Sequence, residues 1–203
     1  GVGCLALVQA MMFSFVERMG ADRGFGVDKV TAVLIAVGVV NMFPAGLAAL
    51  LEKRMNPASV MLAGPLVQAA LALLITLSAG FGPYAAGAAV FVAVMLFTHT
   101  FAFGQLARLD VSGRAVAATP AMIMIGSAIG PILGGTLVKG MGYSGLGLAA
   151  LVIDGLAVWM FLRMRQRSAA LAAATSQPCP GMRADRKNKV TRTARAAKDC
   201  QRE

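Results

Sequence analysis

The sequence predicts an all-α, polytopic membrane protein with six transmembrane helices, and three observations carry that prediction. Six apolar runs, each about the length of one bilayer crossing, occupy residues 1–162 of a 203-residue chain. A hydrocarbon core about 30 Å thick needs roughly 20 residues of helix, and every backbone amide inside it must be satisfied within that helix. The composition is 58% hydrophobic and 14% charged, and the mean hydropathy of +0.72 lies outside the range of water-soluble domains. Lys and Arg gather in alternate connections between the runs, the sorting that membrane insertion produces.

The first run covers about residues 2–16 and is followed by a polar hairpin at 17–29. The second, 30–51, contains Pro44 and ends at Glu52-Lys53-Arg54; Pro44 removes the hydrogen bond to the Val40 carbonyl and should bend the helix. The third, 60–77, reaches the uncharged turn Gly80-Phe81-Gly82-Pro83. A fourth run at 84–106 ends in Arg108-Leu109-Asp110-Val111-Ser112-Gly113-Arg114. Pro120 suits the first turn of the fifth, where its missing N–H costs nothing, and that run extends to about residue 138. A turn at 139–145 and a sixth run at 146–162 follow, with Arg163, Arg165 and Arg167 immediately after.

Lys53, Arg54, Arg108, Arg114 and the Arg163 cluster fall on one side, which the positive-inside rule makes cytoplasmic. Both ends of the chain are then cytoplasmic, in the inner membrane. Tyr84 and Tyr143 would mark the outer boundary and Trp159 the inner one, as an aromatic belt.

The formal net charge of +10 belongs mostly to the tail. Residues 1–162 hold 8 basic and 6 acidic side chains, whereas 163–203 hold 11 and 3. The chain therefore divides into a six-span domain, 1–167, and a basic tail, 168–203. Residues 168–174 can prolong the last helix before Ser176-Gln177-Pro178-Cys179-Pro180-Gly181 stops it. Beyond that point two readings stand: a solvated tail too poor in apolar residues to fold, or a segment drawn to anionic headgroups. Nucleic acid is not an expected partner, because stacking aromatics are missing. Cys4, Cys179 and Cys200 form no CxxC or Cys/His pair, so neither a disulfide framework nor a metal site is expected. The first residue, Gly1, already lies in an apolar run without a basic flank, which reads as part of a longer protein rather than a signal peptide.

The most specific local feature is Gly126-Ser127-Ala128-Ile129-Gly130-Pro131-Ile132-Leu133-Gly134-Gly135. Glycines at i, i+4 and i+8 let a second helix approach closely, and Pro131 frees the Ser127 carbonyl. The string serves either tight packing alone or a bent helix that rocks during transport. It resembles the glycine-proline motif of the major facilitator superfamily, in its drug and small-solute efflux branches. Asp110-Val111-Ser112-Gly113-Arg114 and Phe15-Val16-Glu17-Arg18-Met19-Gly20 resemble segments of the same fold. The resemblance covers about residues 1–165 and implies one six-helix half of a twelve-helix transporter. Gly46 to Arg54 keeps only a glycine, an acid and basic residues of the loop that family members carry, which favours the C-terminal half. An N-terminal half would put the basic tail in the central cytoplasmic loop. The resemblance further implies that Glu52 or Asp110 latches the inner gate with Arg114 and the N-terminus of the fifth helix; ordinary surface charge is the other reading.

Polar residues inside spans are functional candidates by default. Asp154, near the middle of the sixth run, is either a proton carrier or a neutral acid bonded to an adjacent helix. His99 sits between Thr98 and Thr100 and titrates near neutrality in its free form; it is a solute or proton group, or a packing histidine. Gln9 and Phe13 share a face, with Glu17 one turn further as another proton-coupling candidate, and Asn41 lies in the second run. With Met12, these residues would line an apolar cavity bearing a few hydrogen-bonding groups, suited to a small organic solute. Multiply charged phosphate esters are excluded, because no Lys or Arg lies deep in a run. HExxH, P-loop and GxSxG signatures are absent, so no enzyme and no cofactor are expected. The expected function is secondary transport of that solute by alternating access, coupled to protons, with the missing half as partner. The competing expectation is a non-transporting six-span scaffold or sensor, or an inactive fragment.

Overall fold

A computed structural model describes residues 1–110 and 113–176; the expectations for the basic tail beyond Ser176, including Cys179 and Cys200, lie outside the described residues. The described chain is helical: α1 (Val2–Asp22), α2 (Val27–Val40), α3 (Pro44–Leu51), α4 (Pro57–Leu77), α5 (Phe81–Leu109) and α6 (Arg114–Ser176). Five helical stretches are long and apolar enough to cross a membrane: Val2–Asp22, Val27–Leu51, Pro57–Leu77, Phe81–Arg108 and Val116–Arg167. The protein is thus an all-α, multi-pass membrane protein. It divides into two compact units, Gly1–Arg163 and Met164–Glu203, and the architecture below concerns the first.

The six separate runs are five helical stretches because the turn expected at 139–145 shrinks to one residue. Gly142 has φ 68 and ψ −166 inside α6, a conformation open in practice only to glycine. The helix has two legs that run in opposite directions along α1. In the first leg, a Cβ on Gly126 would meet Gly3 and one on Gly134 would meet Phe15, so the leg runs parallel to α1. In the second, Tyr143 bonds Asp22 and Met160 Sδ lies 3.2 Å from the Gly1 nitrogen, so the chain has turned back.

Other boundaries moved for local reasons. The polar hairpin expected at 17–29 is cut to residues 23–26, since Val16, Met19 and Gly20 stay buried while Arg18 and Asp22 pair on the outer face at 3.9 Å. Pro44 does not bend one helix; it starts a new one. The Val40 carbonyl, which would have lost its partner, accepts the Phe43 N–H at 3.2 Å instead. Pro57 opens α4, with Asn56 Oδ1 accepting the Ala58 N–H. Phe81, expected in a turn, begins α5. Pro120, expected in a first turn, is interior because α6 starts at Arg114.

The core is built from α1, α4, α5 and the second leg of α6. Val8, Met11, Met12 and Val16 meet Ala72, Ile75, Tyr84, Phe91, Leu146 and Ala150 in one buried cluster. Tyr84 is therefore not an aromatic-belt residue: it is fully buried, and its hydroxyl donates to the Val16 carbonyl at 2.6 Å. Trp159 is half-exposed, with the Arg163 guanidinium 5.1 Å from its ring centre.

Candidate functional site

Buried polar side chains concentrate at mid-depth. Gln9, Gln68, His99 and Asp154 are all buried, and each keeps a polar atom with no hydrogen-bond partner: Oε1 of both glutamines, Nε2 of His99, both carboxyl oxygens of Asp154. In a medium without water such atoms cost more than in a soluble core, so their grouping needs a reason.

The helices set their levels. Gln68 Nε2 donates to the Leu5 carbonyl at 3.2 Å, aligning those two residues. A Cβ on Gly147 would meet the side chains of Thr76 and Leu73, fixing the second leg of α6 against α4. At 1.5 Å rise per residue, counting from these contacts puts Asp154 within about 2 Å of the level of Gln68, with Gln9 about 6 Å beyond. Gly64, against the Thr98 side chain, puts His99 about 7 Å to the other side by the same count. The faces agree as well as the levels. Leu146 and Ala150 lie in one cluster with Ala72 and Ile75, and the next positions on those faces are Asp154 and Gln68.

His99 Nδ1 lies 2.9 Å from the Met95 carbonyl, and its ring packs 5.9 Å from that of Phe103. The remaining sequence candidates are spread along the bundle. Met12 is sealed in the core, Phe13 is exposed, and Glu17 lies on the surface near the end of α1. Asn41 ends α2 with Oδ1 buried and unpartnered. Neither the cavity between α3, α4 and α5 nor the one beside Glu52 and Arg108 is lined by any of the five proposed solute contacts. Gln68 escaped the sequence reading because it is one amide in an otherwise apolar run; its isolation at mid-run was the available signal.

The glycine string meets α1 closely. A Cβ on Gly130 would lie 2.7 Å from Ala10 Cβ, 2.8 Å from the Met11 nitrogen and 2.9 Å from the Leu7 carbonyl oxygen. Gly126 and Gly134 are similarly tight against Gly3, Leu7, Met11 and Phe15, whereas Gly135 is looser, 3.8 Å from Phe15. Pro131, between these glycines, is interior to the helix.

At the Arg108 end, Glu52 Oε1 accepts from Arg108 Nη2 at 2.9 Å across α3 and α5, with both side chains more than half exposed. Asp110 Oδ2 accepts the Val116 N–H at 3.4 Å, an acid at the N-terminal turn of α6, which begins at Arg114. At the opposite end, Arg23 donates to the Ile75 carbonyl at 2.7 Å and the Thr76 carbonyl at 2.5 Å, covering the C-terminal carbonyls of α4. That contact had no signal in the sequence. Among the described residues, no three His, Cys, Asp or Glu side chains gather closely enough to hold a metal ion. Comparison with protein-family models, curated proteins and solved structures found no match.

Proposed function

We propose that this chain is one six-span half of a transporter of the major facilitator type, moving a small organic solute across the cytoplasmic membrane by alternating access coupled to protons. The observation that carries the reading is the burial of Gln68 and Asp154 at one level, with Gln9 and His99 about 6 and 7 Å to either side of it, all four without full hydrogen bonding. Ionisable and amide groups held at such a depth are expensive, and in membrane proteins they mark solute or ion pathways. In transporters built from paired six-helix repeats, the site lies near the midplane between the halves.

Two further features support it. The two legs of α6, joined at Gly142, count as two crossings, giving six in all. The first leg lays Gly126, Gly130 and Gly134 directly on the α1 backbone, a side-chain-free contact of the kind a helix that rocks against its neighbour would use, with Pro131 inside the same helix. The placement of Glu52 beside Arg108 supports assigning the 52–56 and 108–114 connections to one side, cytoplasmic by their Lys and Arg.

The test is solute flux in proteoliposomes of the complete protein under an imposed pH gradient. Asp154→Asn and His99→Ala should each lower gradient-driven flux by an order of magnitude while leaving helicity unchanged. Flux indifferent to the gradient in the wild type would remove the proton coupling; absence of flux for a panel of amphipathic solutes would remove the transport reading.

A further inference from the structure

A cavity of about 330 Å³ lies between α3, α4 and α5, and none of Gln9, Gln68, His99 and Asp154 lines it. Its walls include Pro44, Leu47, Val60, Gly64, Val67 and Phe97. Thr98, the only polar side chain lining it, is already occupied: its hydroxyl donates to the Val94 carbonyl at 2.7 Å. The cavity thus offers an occupant no side-chain hydrogen-bond donor, and its otherwise apolar lining suits hydrocarbon. Its back is closed where Gly64 abuts Thr98. Its mouth is open at Leu47, Met55 and Val67, which are 50%, 39% and 44% exposed.

Depth identifies the kind of hydrocarbon. Met55 lies in the connection before α4 and Val67 ten residues past its first residue, Pro57. At 1.5 Å per residue that span is about 15 Å, half of a hydrocarbon core about 30 Å thick. The cavity therefore runs from one membrane boundary to the midplane, the reach of a single leaflet. At that boundary, directly before Met55, stand Lys53 and Arg54. Both are exposed, and neither makes an ion pair among the described residues. Glu52, the one acid beside them, is engaged by Arg108.

We propose that this groove is a binding site for one anionic phospholipid of the leaflet that bathes the Arg108 end, with an acyl chain in the α3–α4–α5 cavity and the phosphate on Lys53 and Arg54. A hydrocarbon slot one leaflet deep with two unpaired cations at its rim matches that molecule at both ends. Basic side chains at a membrane surface each attract anionic lipid by about 1 kcal/mol, so each cation should contribute about a fivefold preference.

Native mass spectrometry of the detergent-purified full chain, equilibrated with equal phosphatidylglycerol and phosphatidylcholine bearing identical chains, tests this. The wild type should retain phosphatidylglycerol, and Lys53→Ala with Arg54→Ala should abolish the preference while leaving a lipid bound. Those two residues are exposed, so the fold is not at stake. Val67→Trp, which fills the mouth, should lose bound lipid of either kind with helicity and elution volume unchanged. Equal retention of the two lipids by the wild type, a preference that survives removal of both cations, or a lipid-free wild type running as a dimer through this face would each overturn the proposal.

Discussion

The two ends of the helical bundle are held in different ways. At the Arg23 end, α1 and its C-cap are tied to α4, α5 and α6: Arg23 covers two α4 carbonyls, Tyr84 of α5 reaches the Val16 carbonyl, and Tyr143 of α6 bonds Asp22. Phe25, Phe81 and Tyr84 stack between these bonds, with ring centres 5.3 to 6.4 Å apart. At the Arg108 end, α3 and α5 share one solvent-facing ion pair. Charge-assisted bonds onto buried carbonyls are worth several times an exposed ion pair. If these two ends are the two gates of the transport cycle proposed above, the buried carbonyl bonds make the Arg23 end the costlier one to open, and the exposed Glu52–Arg108 pair is the weaker tie.

The sharpest way to break that asymmetry is Arg23→Ala. It removes two charge-assisted bonds and uncovers the end of α4, so a loss of about 3 kcal/mol is expected, read as a lower unfolding midpoint in detergent. Next comes Gly142→Ala, which forces a side chain into the reversal between the legs of α6. Strain there should cost about 2 kcal/mol, and protease should cut near residue 142 faster than in wild type. Tyr84→Phe keeps the ring stack and removes only the hydroxyl's bond to Val16, for about 1 kcal/mol. If these three variants left the midpoint unchanged, the Arg23 end would not be the firmly held one.

How far this difference could be read from the chain depends on the kind of residue. Apolar runs gave the helices and the membrane, because hydropathy and helix length are local quantities. The spacing of Gly126, Gly130 and Gly134 gave a close-packing face, though not that α1 would be the helix lying on it. Pro44 and Pro120 were misplaced because proline's missing N–H marks a disturbance without saying whether the helix starts, bends or continues there. The Arg23 contact was illegible for a different reason. Its partners are backbone carbonyls 52 and 53 residues away, and carbonyls carry no sequence signature. Tyr84 misled because an aromatic at the end of an apolar run is equally suited to a lipid belt and to a buried hydroxyl bond. In the polar layer, Gln9, His99 and Asp154 stood out by charge class or position, while Gln68 needed its Leu5 contact to be noticed.

The lightly held end gives the smallest stability effect and the most informative one. Glu52→Gln removes the charge from an ion pair that is more than half exposed, so the unfolding midpoint should fall by well under 1 kcal/mol equivalent, about 0.5 kcal/mol at most. Its effect on the balance between conformations is of the same absolute size, and there it matters more. A difference of about 0.5 kcal/mol is roughly a twofold change in a population, invisible against the free energy of folding but measurable as access. With Cys4, Cys179 and Cys200 replaced by Ala, a single cysteine at Gly104, beside Glu52, Gln105 and Arg108 in the same small cavity, should react with a membrane-impermeant maleimide about twice as fast in the Glu52→Gln background. Arg108→Gln should match it, and the double variant should equal either single one, because both remove the same pair. Additive effects would mean that the two side chains act on different partners, and the ion pair would then not be what closes this end.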